Sequence, residues 1–200
     1  MLYTYLVDQL IQSLRTLPGI GPRTAQRMAF HLLDQGRNDG LSLAKTLEET
    51  LTKVGYCKRC HTCSEHDLCS ICSNPKRDHS LLCIVETPID TLAIEQTSSY
   101  HGLYFVLMGH LSPIDGIGPN EIGMNNLIKL LNSEKDIREI IIATNPTVEG
   151  EATAHYIANL VHPMNKFKCT RIAHGIPFGG ELEYTDSNTL AQALAKRTEI

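Results

Sequence analysis

The spacing of apolar residues in the first quarter of the chain predicts three helices. Leu6, Leu10 and Leu14 recur every four residues, which places them on one face of a first helix that ends at Leu17-Pro18. Two further apolar faces follow, formed by Ala25, Met28, Ala29, Leu32 and Leu33 and by Leu43, Leu47, Leu51 and Val54. We therefore expect residues 1–55 to be helical, with the third helix running from Ser42 to Gly55.

From Ser80 onwards, apolar runs alternate with helical spacing. Leu81–Val85 is apolar throughout, which is typical of a strand buried on both faces. Thr87 and Pro88 then suit the cap and first turn of a helix. Further strands are predicted over residues 104–108, 137–143 and 170–174, and further helices over 121–131, 148–161 and a short stretch around Leu190. This alternation predicts an α/β domain with a mainly parallel sheet over residues 80–175.

Composition allows a sizeable core and argues against a membrane protein. The 200 residues are 42% hydrophobic, enough for one domain with small appendages. No stretch approaches the roughly 18 apolar residues of a membrane span, and the N-terminus lacks the basic region of a signal peptide. We therefore expect a soluble, cytoplasmic protein with no membrane partner.

The net charge of −4 is distributed unevenly along the chain. Residues 1–79 hold ten Lys and Arg against eight Asp and Glu, a balance of +2, whereas residues 80–200 hold eight against fourteen, a balance of −6. A generic polyanion binder would be basic throughout. Any contact with nucleic acid is therefore expected in the N-terminal part, through a few well-placed cations.

Two Cys-x-x-Cys pairs stand close together between these regions. They are Cys57-Lys-Arg-Cys60 and Cys69-Ser-Ile-Cys72, separated by eight residues. Zn²⁺ takes four thiolates in a tetrahedral arrangement, and four cysteine ligands leave no position for water or substrate. We therefore predict one structural Zn²⁺ per chain. Two surface disulfides, or reduced thiols without metal, are the alternative.

Other residues near these pairs are also capable of metal binding. His61, Cys63 and His66 lie between the two pairs and could replace one of the four ligands. Cys63 breaks the paired spacing, however, so we interpret it as a spare thiol. With Cys83 and Cys169 it forms a set of three unassigned cysteines, which fits a reducing compartment.

The turn between the first two predicted helices has the composition of a phosphate-binding hairpin. Gly19 and Gly21 flank a single apolar residue, and Pro22 suits the first turn of the next helix. The free N–H groups at such a helix start favour phosphate. Arg23 and Arg27 are four residues apart and therefore share one helix face. The segment resembles a helix-hairpin-helix motif, which binds the DNA backbone; an ordinary helical turn with two solvated arginines is the alternative.

A second Gly-Ile-Gly-Pro sequence occupies residues 116–119. Asp115 precedes it and Glu121 follows it, and no cation is close in the sequence. We interpret this copy as part of a flexible loop over residues 110–120 and not as a phosphate site.

The later motifs extend the resemblance to the whole chain. Val85-Glu86, together with Asn-Pro-Thr-Val-Glu-Gly-Glu at residues 145–151, resembles a Toprim domain. A helix-hairpin-helix, a four-cysteine module and a Toprim domain in this order resemble the RecR family of bacterial recombination mediators. The segment Gly-Ile-Pro-Phe-Gly-Gly-Glu-Leu-Glu-Tyr at residues 175–184 is similar to the C-terminal signature of that family.

The resemblance implies an α+β multidomain chain with four parts. They are a helix-hairpin-helix DNA-binding region (1–55), a C4-type zinc finger (57–72), a Toprim domain (80–175) and a C-terminal segment (176–200) for oligomerisation. Phe178 and the final helix, with Leu190, Ala193 and Leu194, are candidates for self-association. The family also implies a homotetramer that forms a ring around DNA.

The same resemblance implies a role in recombinational DNA repair. Members of the family work with RecO and RecF to load RecA onto gapped, SSB-coated DNA, which would bring this protein to the nucleoid during repair. Glu86, Glu149 and Glu151 are the expected contacts for a basic partner of the RecO type.

Catalysis is not expected, because the Toprim motif is incomplete. Catalytic Toprim domains hold Mg²⁺ with a glutamate and an Asp-x-Asp-x-Glu-Gly run. Here Asn145 and Thr147 replace both aspartates, so only Glu86 and Glu149 remain, and Glu149 also suits a helix start. The alternative is a metal-dependent nuclease or primase-like phosphotransfer enzyme that uses Glu86, Asp90 and Glu149.

Overall fold

A computed structural model describes residues 3–173, 175–176, 179–195 and 197. The chain divides into two compact units between Val54 and Gly55. No helix in the described part of the chain is long and apolar enough to cross a membrane.

The first unit contains three helices, as the sequence predicted. They are α1 (Tyr5–Leu14), α2 (Pro22–Asp34) and α3 (Arg37–Lys53). Its small core consists of Ile11, Ala25 and Ala29 with surrounding aliphatic side chains of α1 and the hairpin. Helix α3 begins five residues before the predicted Ser42, because polar residues after Gly36 continue the helix and Asp39 suits its first turn.

The apolar faces predicted for this unit are buried less than expected. Helix α3 contains no buried residue; Leu47 is 51% exposed and Leu51 is 79% exposed. Leu6 of α1 is exposed as well. Apolar spacing therefore predicted the three helices correctly. It did not predict that much of their apolar surface would be exposed in the single chain.

The second unit begins with two short strands that the sequence did not predict. Strands β1 (Gly55–Tyr56) and β2 (Cys63–Ser64) form an antiparallel pair. Four longer strands then form a parallel sheet: β3 (Asp78–Val85), β4 (Gly102–Val106), β5 (Glu139–Ala143) and β6 (Lys168–Arg171). Their order across the sheet is β4-β3-β5-β6. The predicted parallel sheet is confirmed, although β4 and β6 each begin two residues earlier than expected.

Four helices accompany this sheet: α4 (Pro88–Gln96), α5 (Met124–Ser133), α6 (Val148–Val161) and α7 (Ser187–Ala195). Helix α6 has the predicted bounds. The main core joins β3, β4 and β5 to α5 and α6, and its fully buried members include Leu82, Ile84, Phe105, Leu127, Ile140 and Ile157. Because β3 and β5 are adjacent and parallel, the residues that follow them meet at one edge of the sheet.

Candidate functional site

The four cysteines of the two Cys-x-x-Cys pairs lie together and are buried. Their sulfur atoms are all within 4.8 Å of one another, and the Sγ atoms of Cys60 and Cys69 are 3.5 Å apart. Four sulfurs at 2.3 Å from a tetrahedral zinc ion would be about 3.8 Å apart. Donor type, number and spacing therefore fit Zn²⁺, and the group could hold a metal ion.

The local backbone explains why the sulfurs converge. In the four-cysteine knuckle (residues 57–72), the N–H of Cys69 donates to the Sγ of Cys57 at 3.3 Å, and the N–H of Cys72 donates to the Sγ of Cys69 at 3.4 Å. Such bonds favour thiolates, since they stabilise negative charge on sulfur. Cys63 lies on β2, is exposed and stands outside the cluster.

A cation adjoins the cluster, and the sequence analysis missed it. The guanidinium of Arg59 lies 3.9 Å from the Sγ of Cys72 and makes two hydrogen bonds of 2.7 Å to the carboxylate of Glu134. The hydrogen bond with the Cys60 thiol, together with the nearby Arg59, lowers the pKa of Cys72 to about 6 against the opposing effect of burial. The same bond raises the pKa of Cys60. One sulfur is thus close to the thiolate form that a metal requires.

The knuckle packs on the edge of the parallel sheet. The N–H of Val106, at the end of edge strand β4, donates to the carbonyl of Cys60 at 2.8 Å. The ring of His61 lies 5.2 Å from that of Phe105, and Ile71 packs against both hydrophobic cores of the unit. The knuckle therefore covers part of an exposed strand edge and belongs to the same folded body as the sheet.

The hairpin before α2 presents backbone N–H groups to solvent. Gly19 has a φ of +78°, a conformation that favours glycine, and Gly21 caps α2 in an extended conformation with no side chain to accept the first helical N–H groups. Pro22 occupies the first turn and has no N–H to satisfy. The N–H groups of Arg23 and Thr24 therefore remain for an anion at this helix start.

Arg23 and Arg27 lie on the outer face of α2. This face is opposite Ala25 and Ala29, which are buried against α1. Both arginines are exposed, and neither has an ion-pair partner among the described residues. They line an open groove with a volume of about 880 Å³ along the outer face of α2. The predicted DNA-binding residues thus lie in two adjacent segments: Gly19 and Gly21 in the hairpin, and Arg23 and Arg27 in the first two turns of α2.

The second Gly-Ile-Gly-Pro copy has a different environment. The carboxylate of Glu121 accepts a hydrogen bond of 2.9 Å from the N–H of Gly118. An acid of the chain itself thus occupies the turn and would repel a phosphate. This hydrogen bond supports the interpretation of residues 116–119 as a loop without a phosphate site, which remains a prediction.

At the carboxyl ends of β3 and β5, the carboxylate of Glu86 is buried and fully hydrogen-bonded. Its Oε1 accepts from the backbone N–H of Asn145 at 2.8 Å, and its Oε2 accepts from the Asn145 Nδ2 at 2.8 Å. The Nδ1 of His110 lies 3.1 Å from the same Oε2. Glu86 is only 2% exposed. It is therefore not accessible as the expected contact for a basic partner, because Asn145 and His110 enclose it.

The loop after β5 is shaped around this carboxylate. A Cβ on Gly150 would lie 2.0 Å from the carbonyl oxygen of Asn145 and 2.8 Å from the Oε1 of Glu86, so only glycine fits. Thr147 caps α6 by accepting a hydrogen bond from the N–H of Gly150 at 3.1 Å. Thr147 thus has a structural role at the position where catalytic Toprim domains carry an aspartate.

The remaining carboxylates of this edge differ in environment. Glu149 is partly exposed in the first turn of α6. Glu151 forms an ion pair with Arg171 at 2.6 Å, a partner that the sequence did not indicate. Asp90 accepts hydrogen bonds from the backbone N–H and the hydroxyl of Thr87 at the start of α4. The three carboxylates of the predicted alternative, Glu86, Asp90 and Glu149, are not grouped as a metal site among the described residues.

Comparisons with known proteins match the same regions. A family model described as "RecR, helix-hairpin-helix" matches residues 7–51, one described as "Toprim domain" matches 80–173, and one described as "RecR, C-terminal" matches 175–198. The "Recombination protein RecR" of Coxiella burnetii (strain RSA 493 / Nine Mile phase I) is 56% identical over 200 residues, which cover all of this chain and 98% of that relative.

Proposed function

The chain belongs to the RecR family, and from this membership we propose that it is a DNA-binding recombination mediator with no catalytic activity of its own. In this proposal it acts in recombinational repair with RecO-type and RecF-type proteins, and it helps to load RecA onto gapped, SSB-coated DNA. Gly19, Gly21, Arg23 and Arg27 bind the DNA backbone. Cys57, Cys60, Cys69 and Cys72 hold one structural Zn²⁺.

The proposal that the protein is not catalytic rests on the hydrogen bonds of Glu86. A Toprim glutamate that binds Mg²⁺ must offer carboxylate oxygens to the ion. Here Oε1 and Oε2 already accept hydrogen bonds from Asn145, and His110 lies against Oε2. In place of a metal, the backbone and side-chain N–H groups of Asn145 thus satisfy these oxygens with hydrogen bonds. This favours a structural Toprim domain.

We predict that the protein does not nick supercoiled DNA with either Mg²⁺ or Mn²⁺. Glu86→Gln should lower the free energy of unfolding by about 1–3 kcal/mol, since it removes a buried, hydrogen-bonded carboxylate. Gel analysis of the plasmid and thermal unfolding measure the two effects. Metal-dependent nicking by the unmodified protein that disappears in Glu86→Gln would establish the phosphotransfer alternative.

A variant that restores the acidic motif provides the matched control. Asn145→Asp with Thr147→Asp recreates the Asp-x-Asp-x-Glu-Gly run beside Glu86. The added carboxylates should destabilise the fold without metal, because the one at position 145 would face the buried carboxylate of Glu86 in place of the amide that now donates to it. Mg²⁺ should raise the melting temperature of this variant and leave that of the unmodified protein unchanged. An equal rise in both would mean that the natural edge already binds the ion.

We further propose that the edge carrying Glu149 and Glu151 contacts a basic partner of the RecO type. In this proposal Glu86 holds the loop after β5 in position through its hydrogen bonds with Asn145. Glu149→Gln should weaken that binding about two- to fivefold at low salt, the range of exposed ion pairs. Glu151→Gln should weaken it as well, and this change also breaks the ion pair with Arg171. Titration calorimetry with a RecO-type protein measures this. Glu48→Gln, an exposed change of equal charge on α3, should have no effect. Equal losses in all three variants would remove the partner assignment from this edge.

Self-association is part of the proposal. The apolar residues of α3, which include Leu43, Leu47 and Leu51, are exposed in the single chain. Contiguous exposed apolar surface is typical of an interface between protein chains. This supports the homo-oligomer, and the ring-shaped homotetramer, that family membership implies. Of the contacts predicted from the sequence, Phe178 lies outside the described residues, and Leu194 of α7 is exposed.

A further inference from the structure

We propose that the groove on the outer face of α2 binds single-stranded DNA, with Tyr3 and Phe30 as a platform on which an unpaired base stacks. The inference rests on the proposed function, because it assigns the adjacent phosphates to Arg23 and Arg27. It adds that the ligand is a single strand, because phosphate contacts alone do not distinguish a single strand from a duplex.

The first step of the argument is the arrangement of the two rings. Tyr3 and Phe30 meet edge to face, with ring centroids 5.1 Å apart and an interplanar angle of 65°. Neither is part of a hydrophobic core; Tyr3 is 37% exposed and Phe30 is 41% exposed. Single exposed aromatic residues are ordinary. Here the two rings contact each other, so they form a continuous apolar surface at the groove.

The second step is the position of the rings relative to the cations. Arg23, Arg27 and Phe30 follow a spacing of four and three residues, which places them on one helix face. The seven residues from Arg23 to Phe30 span about 10 Å along the helix axis. All three line the same groove as Tyr3. A strand whose phosphates contact the arginines would therefore bring a neighbouring base to the rings.

The third step is the charge of the groove. Arg23 and Arg27 line it, and its described lining contains no carboxylate. Such a surface suits a polyanion better than a second copy of this acidic chain. Proteins that bind single strands without reading sequence combine a basic groove with aromatic side chains that stack on bases. In a duplex the bases are paired and stacked on one another, so only a single strand could use both parts of this groove.

The test compares three fluorescent probes by anisotropy: a thymidine oligonucleotide, an abasic strand of the same length and a duplex of the same length. Phe30→Leu keeps the apolar volume and removes the ring. It should weaken binding of the thymidine strand about fivefold or more, the effect of losing one stacked base. Binding of the abasic strand and of the duplex should change by less than about twofold, since phosphate contacts remain. Tyr156→Leu, which removes a ring of similar exposure from α6 and lies outside the groove, should leave all three affinities unchanged.

A second measurement does not depend on the Phe30 variant. The chain contains no tryptophan, so Tyr3→Trp introduces a single fluorescent reporter at the platform. The thymidine strand should quench its emission, and the abasic strand should leave it unchanged. Equal quenching by both strands would overturn the proposal, because quenching would then not require a base.

The outcomes separate this inference from the proposed function. If Phe30→Leu weakened binding of all three probes equally, the rings would stabilise the chain, and the stacking role would be overturned. If light scattering showed a change in its oligomeric state, the rings would contact a second copy, with the same consequence. Undiminished binding of all three probes by Arg23→Ala with Arg27→Ala would instead remove the proposed DNA surface. Weaker binding of all three probes by that arginine variant, with weaker binding of only the thymidine strand by Phe30→Leu, would support both the DNA surface and the stacking role.

Discussion

Replacing Cys60 with serine is expected to abolish zinc binding and to lower the melting temperature of the second unit by about 10 °C, which corresponds to about 3–5 kcal/mol. A structural zinc site contributes its binding energy to folding, because the unfolded chain cannot assemble four thiolates. Cys60 contributes to folding in two ways. Its sulfur lies in the cluster and its carbonyl accepts the hydrogen bond from Val106 at the edge of the sheet.

The effect should extend beyond the knuckle, because the knuckle is packed against the sheet. Arg59 links it to Glu134, His61 lies on Phe105, and Ile71 contacts both hydrophobic cores. Without the metal, these contacts alone would have to keep the knuckle folded. The sheet edge at β4 would then be less protected.

Metal analysis and thermal unfolding measure this prediction, and Cys63→Ser is the matched control. Cys63 lies in the same knuckle, is exposed and stands outside the cluster. The control should keep one zinc per chain and the original melting temperature. Full zinc content in Cys60→Ser would contradict the four-cysteine site, and loss of zinc in Cys63→Ser would mean that the ligand set is different.

The sequence predicted the centre of the sheet well because β4 and the second half of β3 are buried on both faces. The apolar run before Glu86 corresponds to the end of β3. The bounds of β4 were less accurate, since Leu107 is buried beyond the end of the strand and donates its N–H to the carbonyl of Val85. Apolarity alone therefore does not show where pairing between strands ends. Met108 follows with a φ of +62°, which turns the chain away from the sheet.

The site at the carboxyl ends of the strands could be predicted only in part. Topology places Glu86 and Asn145 after adjacent parallel strands, and the sequence was sufficient for that expectation. It could not show that the amide of Asn145 binds the carboxylate, which depends on the path of a short loop. The contribution of His110 depends on the turn at Met108 and Gly109, for which the sequence carried no distinctive signal.

The knuckle and the N-terminal helices show the same limit. Cysteine spacing identified the four residues that converge, but not Arg59 or the docking of Cys60 on β4. Apolar spacing identified α3, whose face has no cover in a single chain. In both cases the sequence encodes local geometry, whereas contacts between distant segments depend on the assembled fold.

Removing both guanidinium groups of the hairpin, in Arg23→Ala with Arg27→Ala, is expected to weaken DNA binding on the order of a hundredfold at moderate salt. Each charged contact with a phosphate contributes about 1.5 kcal/mol, and the two act on one strand. The plot of log affinity against log salt concentration should become shallower by about 1.8 for a duplex, because each lost contact releases about 0.9 fewer counterions. Losses should be similar for unrelated sequences, since phosphate contacts carry no sequence information.

Fluorescence anisotropy at several salt concentrations measures both quantities, and circular dichroism verifies that α2 remains folded. Lys45→Ala with Lys53→Ala is the matched control, because it removes the same charge from exposed positions on α3 of the same unit. If long-range attraction dominated, the lysine variant would lose as much affinity as the arginine variant, and the hairpin would have no special role. If the hairpin is the contact, the lysine variant should lose little, since charges beyond about 10 Å are screened at ordinary salt. Undiminished binding by a folded arginine variant would place the DNA surface elsewhere on the protein.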